Sequence, residues 1–550
     1  MKRQVERVHY NGPQLEAMLV RAQEEYHVAG RGAGKTDGIL AERLEYNAFA
    51  MPRSMGGMIG PSYYKMLTQF LPKIRKGLER LGYTEGLHYF VGSRAPKAWR
   101  WEIPISAPFR WDTTIHLKCG SGVQLISQDR PTSSSGVDLD YLLGDEARYL
   151  KYKMMEEETF PAIRGNHGRF GHLSVYGSMV FTTDRPRTPG GRWILEKRER
   201  MDQRVIETIK SASLEIWKMR TAIRTERLAE STVREYGVRI RRFEELLNHL
   251  RKGTVYYKEW SALDNIHVLG YEYLRKEKER LSDYEFRISI LNEPIDRVEG
   301  GFYPELDEEK HTYEAHAIDY IEKVRDQWEK LENRDCRHDA RLVKTLPIDI
   351  AFDYGFSFNC CVIGQLFGDR YSVDNCLYVK APMKIRHLVD KFHDYYQWHG
   401  TRDINFFYDH TAIGGDASRE YTFSEEIIRE LTSKGWKVNP VYIGQAPAHH
   451  DKYLFWSKLL GSTEEVLHQE GLPKVEFNAD NCEPLLLSMS LAPARQLKNR
   501  FEKDKTSEGR EGDQAEATHL SDAGDTLMWG RLNIGGEDVP MPLGSVYGAR

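Results

Sequence analysis

At 550 residues the chain is too long for a single core and is read as two large domains with a smaller segment between them. A hydrophobic share of 40%, a charged share of 29% and a formal net charge of −4 fit a globular protein and exclude a strongly basic nucleic-acid coat, so any contact with a polyanion must be local. The opening MKRQVERVHYNGPQLEAM has no apolar signal core and no apolar run is long enough to cross a bilayer, so a cytoplasmic location without a membrane partner is expected.

Residues 1–195 alternate short apolar runs with helical stretches, the pattern of an α/β domain built on a parallel sheet. Met55–Ser62, Gly122–Gln128, Leu139–Glu146 and Gly177–Thr183 are the clearest strands, and the 3–4 spacing of apolar residues predicts a helix from Tyr63 to a stop at Gly82. Residues 196–252 are nearly free of glycine and dense in both charges, with a balance of roughly +5, and read as a projecting helical hairpin. Two readings stand for it: a nucleic-acid or partner surface, or a solvated helix pair with a structural job. Residues 253–340 are expected to hold the remainder of the first domain and a helical linker. A strand-rich second domain, 341–535, begins at LPIDIAFDYGFS, continues through CCVIGQLFGDRYSVDNCLYVK and INFFYDHTA, and closes on the helical THLSDAGDTLMWG. The Gly/Pro-rich residues 536–550 are expected to form a flexible tail. The six cysteines (Cys119, Cys336, Cys360, Cys361, Cys376 and Cys482) show no CxxC spacing and are read as reduced core thiols.

The stretch HVAGRGAGKTDG carries the chemistry of the first domain. A phosphate loop needs glycines so that backbone N–H groups can turn onto phosphates, a lysine for the β- and γ-phosphates, and a hydroxyl for Mg²⁺. Gly30, Gly32 and Gly34 supply the backbone, with Arg31 and Ala33 between them. Lys35 supplies the charge and Thr36 the hydroxyl. The glycine that opens the usual pattern is Ala29, and Gly30 beside it is expected to take the tight turn. About 110 residues on, DYLLGDEA ends an apolar strand in Asp145 and Glu146. An acid at a strand end can hold Mg²⁺, and the next one can orient the water that attacks the γ-phosphate. Thr182 and Thr183 end the following strand, either to sense hydrolysis or as ordinary β-branched residues.

Beyond residue 340, Asp353 and Asp409 each end an apolar strand and Asp522 opens a helix. Two-metal phosphodiester cleavage gathers acids from several elements. Each acid taken singly is equally a turn former or a helix cap.

The succession GRGAGKT, GPSYYKMLTQFLPKI, YLLGDEA and VFTTDRP resembles the ATPase domain of the large terminase subunit of tailed bacteriophages. Arg31 matches the arginine found inside that family's phosphate loop, and Pro61, Ser62 and Tyr63 match its Pro-Ser-Tyr element. Its coupling motif falls on Thr182–Thr183–Asp184, where the third residue departs from the family's proline. Arg130 is the nearest candidate for its trans-acting arginine, and Gln14 and Gln23 are both candidates for its adenine-contacting glutamine. AFDYGFS, FYDHTA and KDKTSEGR…ATHLSDA resemble the family's RNase H-like nuclease domain. The resemblance implies Asp353, Asp409 and Asp522 as metal ligands, Asp349 and Asp525 as alternates, and Lys505 and His519 beside the metals.

The fold so implied is α/β throughout: a P-loop ATPase domain, a helical insertion and linker, and an RNase H-like nuclease domain. The implied cofactors are ATP and Mg²⁺, with Mn²⁺ possible at the nuclease site. The implied partners are double-stranded DNA, a portal protein, a small terminase subunit and further copies of the chain in a ring, a pentamer. The implied activity is ATP-driven movement of DNA into a procapsid with cutting of concatemers, in the cytoplasm of an infected bacterium and docked transiently at the portal. The alternatives are a helicase- or repair-type ATPase fused to a nuclease, and a nucleotide-dependent assembly protein whose acids are structural.

Overall fold

The computed structural model describes residues 8–108, 110–129, 136–187, 189–281, 283–294, 301–313, 316–355, 357–414, 421–497, 500–505, 508, 514–515 and 517–533. Arg130 and the tail at 536–550 lie outside the described residues. The chain divides into two compact units, Met1–Ile295 and Asp296–Arg550.

In the first unit the apolar runs become β1 (Glu24–Ala29), β2 (Met55–Gly60), β3 (Tyr89–Val91), β4 (Thr114–Leu117), β5 (Gly122–Ser127), β6 (Tyr141–Gly144), β7 (Ser178–Thr183) and β8 (Val255–Trp260). They form one sheet in the order β3-β4-β5-β2-β6-β7-β1-β8. β5, β2, β6, β7, β1 and β8 are mutually parallel, and β4 and β3 add an antiparallel edge. Alternate side chains serve two cores: Tyr141 and Leu143 pack on one face with Met58 and Val180, and Leu142 on the other with Ile59 and Phe181. This is why the strands read as unbroken apolar runs: a parallel sheet is covered on both faces. The helices α1 (Gly12–Val20), α2 (Ala41–Ala50) and α3 (Leu71–Arg80) belong to this unit.

Between β7 and β8 the chain makes the expected hairpin, α4 (Gln203–Thr225) and α5 (Glu230–Arg251). Asp202 caps α4 by accepting from the amides of Arg204 (2.9 Å) and Val205 (3.4 Å). At the root Ile206, Ile209, Ala212, Ile216 and Leu247 are buried. There the Ser213 hydroxyl donates to the Leu19 carbonyl (2.8 Å), and Arg251 Nε donates to that of Val20 (2.8 Å).

The second unit carries β9 (Thr312–Tyr313), β10 (Ile348–Tyr354), β11 (Phe358–Phe367), β12 (Arg370–Lys380), β13 (Asp403–Tyr408), β14 (Lys437–Tyr442) and β15 (Lys474–Asn478), ordered β14-β13-β10-β11-β12-β15-β9. β10, β11 and β12 are antiparallel neighbours, whereas β13 and β14 run parallel to β10. Ile350, Phe352 and Phe406 face one core with α6 (Ile385–Tyr396) and α7 (Phe423–Ser433). Ala351 and Phe407 face the other core with α8 (His519–Asn533). A small hairpin, β16 (Ala494–Leu497) and β17 (Arg500–Lys503), precedes α8.

Residues 253–340 are shared between the two units. β8 completes the first sheet, while Phe302, Tyr303 and β9 already lie in the core and sheet of the second unit. The six thiols are free, five of them buried, as read from their spacing.

Candidate functional site

Three adjacent parallel strands end together. β1 runs out at Ala29 into the phosphate loop, β6 at Gly144 into Asp145 and Glu146, and β7 at Thr183 into Asp184. The C-terminal edge of such a sheet is where a parallel α/β fold receives ligands. Ala29 is the last residue of a buried strand, so no turn is asked of it. Gly30 is needed for a reason other than the expected tight turn: a Cβ there would stand 2.1 Å from the Ile290 carbonyl oxygen. The left-handed turns fall at Gly32 (φ 82°) and Gly34 (φ 77°).

The loop's carbonyls are tied to neighbouring amides. Gln14 Nε2 donates to the Gly34 carbonyl (2.7 Å), Asn11 Nδ2 to that of Ala33 (3.0 Å) and Asn265 Nδ2 to that of Gly32 (2.7 Å). The amides of Gly30, Arg31 and Ala33 are bonded to the carbonyls of Trp260, Ser289 and Gly30, which leaves those of Gly32 and Gly34 to meet an anion. Gln14 is thus a loop-holding residue. Gln23, the other glutamine considered for adenine, precedes β1 at the opposite end of that strand, where it bonds Tyr176 and Gly253.

The side chains around the loop form one charged cluster. Lys35 Nζ donates to the carbonyls of Ala29 (2.6 Å) and Gly30 (3.1 Å) and to the Asp184 carboxylate. Arg31 Nε and Arg148 also approach Asp184, at 3.4 and 3.8 Å. Burial alone would raise the Asp184 pKa, but Lys35, Arg148 and Arg31 together hold its carboxyl well below the usual range. Thr36 Oγ1 and Thr182 Oγ1 both donate to Asp145, at 2.8 and 2.7 Å, and Lys73 Nζ lies 3.7 Å away. Thr183 Oγ1 accepts from the Arg148 amide (3.1 Å). The Thr36 hydroxyl and the Asp145 carboxylate are hard oxygen donors side by side beneath the loop, a set that fits Mg²⁺. Glu146 has a left-handed backbone (φ 53°), a conformation that costs a residue with a Cβ about 1–3 kcal/mol. Burial and the negative charge of Asp184 push its pKa up, against the pull of Arg148 and Lys73, and its buried Oε2 has no hydrogen-bond partner.

In the second unit, β10 pairs with β13 in register from Ile348↔Ile404 to Ala351↔Phe407. The pairing ends there: Asp353 lies two residues further along β10, and Asp409 directly follows β13, so both stand at the same end of these parallel strands. From α8, His519 Nδ1 meets Asp353 Oδ2 at 2.7 Å. Burial and the charge of Asp522 raise the Asp353 pKa, against His519 and Lys505. Burial would also raise the Asp522 pKa, but Lys503, Lys505 and Lys452 force it far down. Lys503 Nζ donates to Asp522 (2.7 Å) and Asp525 (2.9 Å), and Lys505 pairs with Asp522 as well. Asp409 accepts from the Thr411 amide (2.9 Å) as the cap of a short turn.

The alternates are absorbed elsewhere. Asp349 is buried against Asn405 (2.7 Å) and Arg531 (3.3 Å), and Asp525 accepts from Tyr303 (2.7 Å) and Trp456 (2.8 Å). The metal cage expected of Asp353, Asp409 and Asp522 is not assembled in this arrangement. Among the described residues no three acidic, histidine or cysteine side chains form a group that could hold a metal ion. Asp522 is turned to two lysines and Asp353 to His519.

No family model matches the chain, and no curated protein matches it. Among solved structures it is similar to the large terminase of the thermophilic bacteriophage D6E, at 12% identity and a TM-score of 0.36, covering 95% of this chain and 98% of that one. It is also similar to the large terminase ATPase domain of Thermus phage P74-26 (16% identity, TM-score 0.28, 52% of this chain and 92% of that one). A third likeness is to the Phi-28 gp11 DNA packaging motor (10% identity, TM-score 0.21, 82% and 96%). At these identities and scores, function has to be read from this chain's own residues.

Several site residues escape sequence reasoning. Asp184 shows there only as a departure from a motif, yet it is the partner of the phosphate-loop lysine. Lys73 sits on α3 with no motif of its own. Asn11 and Asn265 meet at the loop from positions 254 residues apart. In the second unit, Lys503 reaches both acids of α8, whereas the sequence pointed to Lys505 alone.

Proposed function

We propose that the first unit is an ATPase that binds ATP with Mg²⁺ at residues 30–36, and that the chain uses it to drive double-stranded DNA into a viral procapsid. The single observation that carries the ATPase reading is the meeting of Lys35 and Thr36 with Asp145, Glu146 and Asp184 at one sheet edge, beneath a loop whose carbonyls are held by Gln14, Asn11 and Asn265.

The mechanism follows from these groups. Gly32 and Gly34 let the loop wrap the phosphates, and Lys35 exchanges the Asp184 carboxylate for phosphate oxygens. Mg²⁺ held by Thr36 and Asp145 would withdraw charge from the β- and γ-phosphates. Glu146, with one carboxylate oxygen unbonded, orients the attacking water. Arg31, beside Asp184 on the loop, adds positive charge where negative charge builds during transfer. Thr182 connects β7 to Asp145, so a change at the acid is felt by the strand that leads into the hairpin. Measuring ATP turnover by Lys35→Ala tests the reading: a loss of at least about 100-fold is expected, and wild-type turnover would refute it.

The second unit, in this reading, is an RNase H-like nuclease that cuts concatemeric DNA in the presence of Mg²⁺ or Mn²⁺. The arrangement of β10 between antiparallel β11 and parallel β13, with Asp353 and Asp409 at the same end and Asp522 on the covering helix, supports it. In this arrangement the acids face Lys503, Lys505 and His519. Plasmid cleavage by wild type and Asp353→Ala, with each cation, decides the matter, and equal cleavage by the two removes the nuclease. The proposed partners are a portal protein, a small terminase subunit and further copies of the chain in a pentameric ring, and the proposed setting is the infected bacterial cytoplasm. A helicase-type alternative would need a second motor lobe, whereas the second sheet mixes antiparallel hairpins with parallel strands.

A further inference from the structure

The hairpin α4–α5 is the largest element that the ATPase site does not use. Each helix is about 33–35 Å long at 1.5 Å per residue, but only the root is packed. From Arg220 to Leu246 no described residue is buried. Ile240 and Phe243 pack partly buried against the root cluster, and beyond them the distal part buries little within its own unit. Its surface chemistry has to be explained by something else, or by water.

Its charge is not that of an ordinary solvated pair. Between Lys218 and Arg242 there are eight cationic side chains and three carboxylates, a balance of +5 in a chain whose formal net charge is −4. Seven of the eight cations are arginine, whose planar fork binds phosphate bidentately where lysine offers a point charge. Lys218, Arg220 and Arg234 are paired with Glu215, Glu244 and Glu230. Arg224, Arg227, Arg241 and Arg242 form no ion pair among the described residues. Arg234, Arg241 and Arg242, at i, i+7 and i+8, fall on one stripe of α5.

We infer that the distal hairpin, residues 218–242, is a docking surface for the phosphate backbone of duplex DNA. The match is one of charge: a rod carrying unpaired guanidinium groups against a polymer carrying one negative charge per about 1.7 Å of helix axis. Contacts of this kind grip without reading sequence, because phosphates carry none. The inference rests on the proposed DNA-handling role but not on the phosphate loop, and the two can fail separately.

The test compares the full chain with the quadruple variant R224Q/R227Q/R241Q/R242Q and with its Arg→Lys counterpart. Binding to a fluorescent duplex of random sequence is followed by anisotropy from low to moderate salt. Each phosphate contact contributes a slope of about 0.9 in log K against log salt. The Gln variant should therefore lose up to about 3–4 of that slope and bind at least tenfold more weakly at low salt, with DNA-independent ATP turnover unchanged. The Lys variant should keep most of the slope. Unchanged affinity and slope in the Gln variant would overturn the inference, as would a changed self-association with DNA binding intact, which would make the hairpin a contact between copies. Lys35→Ala should keep the hairpin-dependent binding, so failure of the ATPase reading would show separately, in turnover alone.

Discussion

Asp184→Asn isolates the contact that the phosphate-loop lysine makes before any nucleotide arrives. Lys35 and Asp184 are both largely buried, and the lysine's other partners are two backbone carbonyls. Removing one member of a buried pair costs about 3–5 kcal/mol, because the other charge is left uncompensated. Asparagine keeps a dipole at the position, so the lower end, about 3 kcal/mol, is expected. For a unit of this size that lowers the thermal transition of the nucleotide-free protein by roughly 5–10 °C. ATP should offset the loss, because in the wild type its phosphates must displace Asp184 from Lys35 and in the variant they need not. If a third to a half of the pairing energy returns as binding, Kd falls about tenfold. Scanning fluorimetry with and without ATP, together with calorimetric titration, reads both quantities. The sign against pH is also set. Asp184 has a depressed folded pKa, so its contribution is fully present above the ordinary aspartate range and is lost as pH falls below it. The gap between wild type and variant should therefore hold from pH 7 to about 5, begin to shrink near 4 and go on shrinking as pH falls further toward the depressed folded value. A variant that melts with the wild type and binds ATP with the same Kd would refute this account of the loop.

Gly30→Ala should abolish turnover, because its methyl group would sit against the Ile290 carbonyl, whereas Ala29→Gly should keep full turnover and lose only about 0.5–1 kcal/mol of stability; equal turnover by the two variants would refute the assignment. Burial and Asp184 raise the Glu146 pKa, so the acidic limb of the ATPase profile should lie above the ordinary glutamate range, and Glu146→Gln should lose the limb along with most of the rate. Burial pushes the Asp374 carboxyl, one of whose oxygens has no hydrogen-bond partner, up to about 8. Its folded form holds a proton that the unfolded chain releases near pH 4, so stability falls as pH rises between the two values. Asp374→Asn should remove that slope and melt above the wild type by a margin that grows from pH 5 to 8, as calorimetry would show.

The strands that carry the site were legible because each is buried on both faces: MGGMIG, GVQLIS, YLLG and SMVFTT carry no charge and are mostly apolar. β14, KVNPVY, was not, since it is a largely exposed edge strand holding a proline and offers no such run. The loop lysine, its hydroxyl and the two acids after β6 follow local spacing and could be named in advance. Asp184 was read as a mismatch because pattern matching asks what a motif usually contains, not what a buried ammonium needs beside it. Asn11, Gln14 and Asn265 lie outside any motif, and only the folded chain brings them to the loop. In the second unit the acids could be named, but not their cations, because Lys503 reaches Asp522 and Asp525 from the end of a short hairpin strand.

The hairpin leaves the first unit after β7 and returns to β8, while β1 lies between those two strands in the sheet. In the proposed reading the groups that hold the triphosphate come from strand ends and from residues 11–36, 73, 145–184 and 265, none of them in the excursion. Its length and its tip can therefore be redesigned like an exchangeable tool on a fixed handle, with the engine left whole.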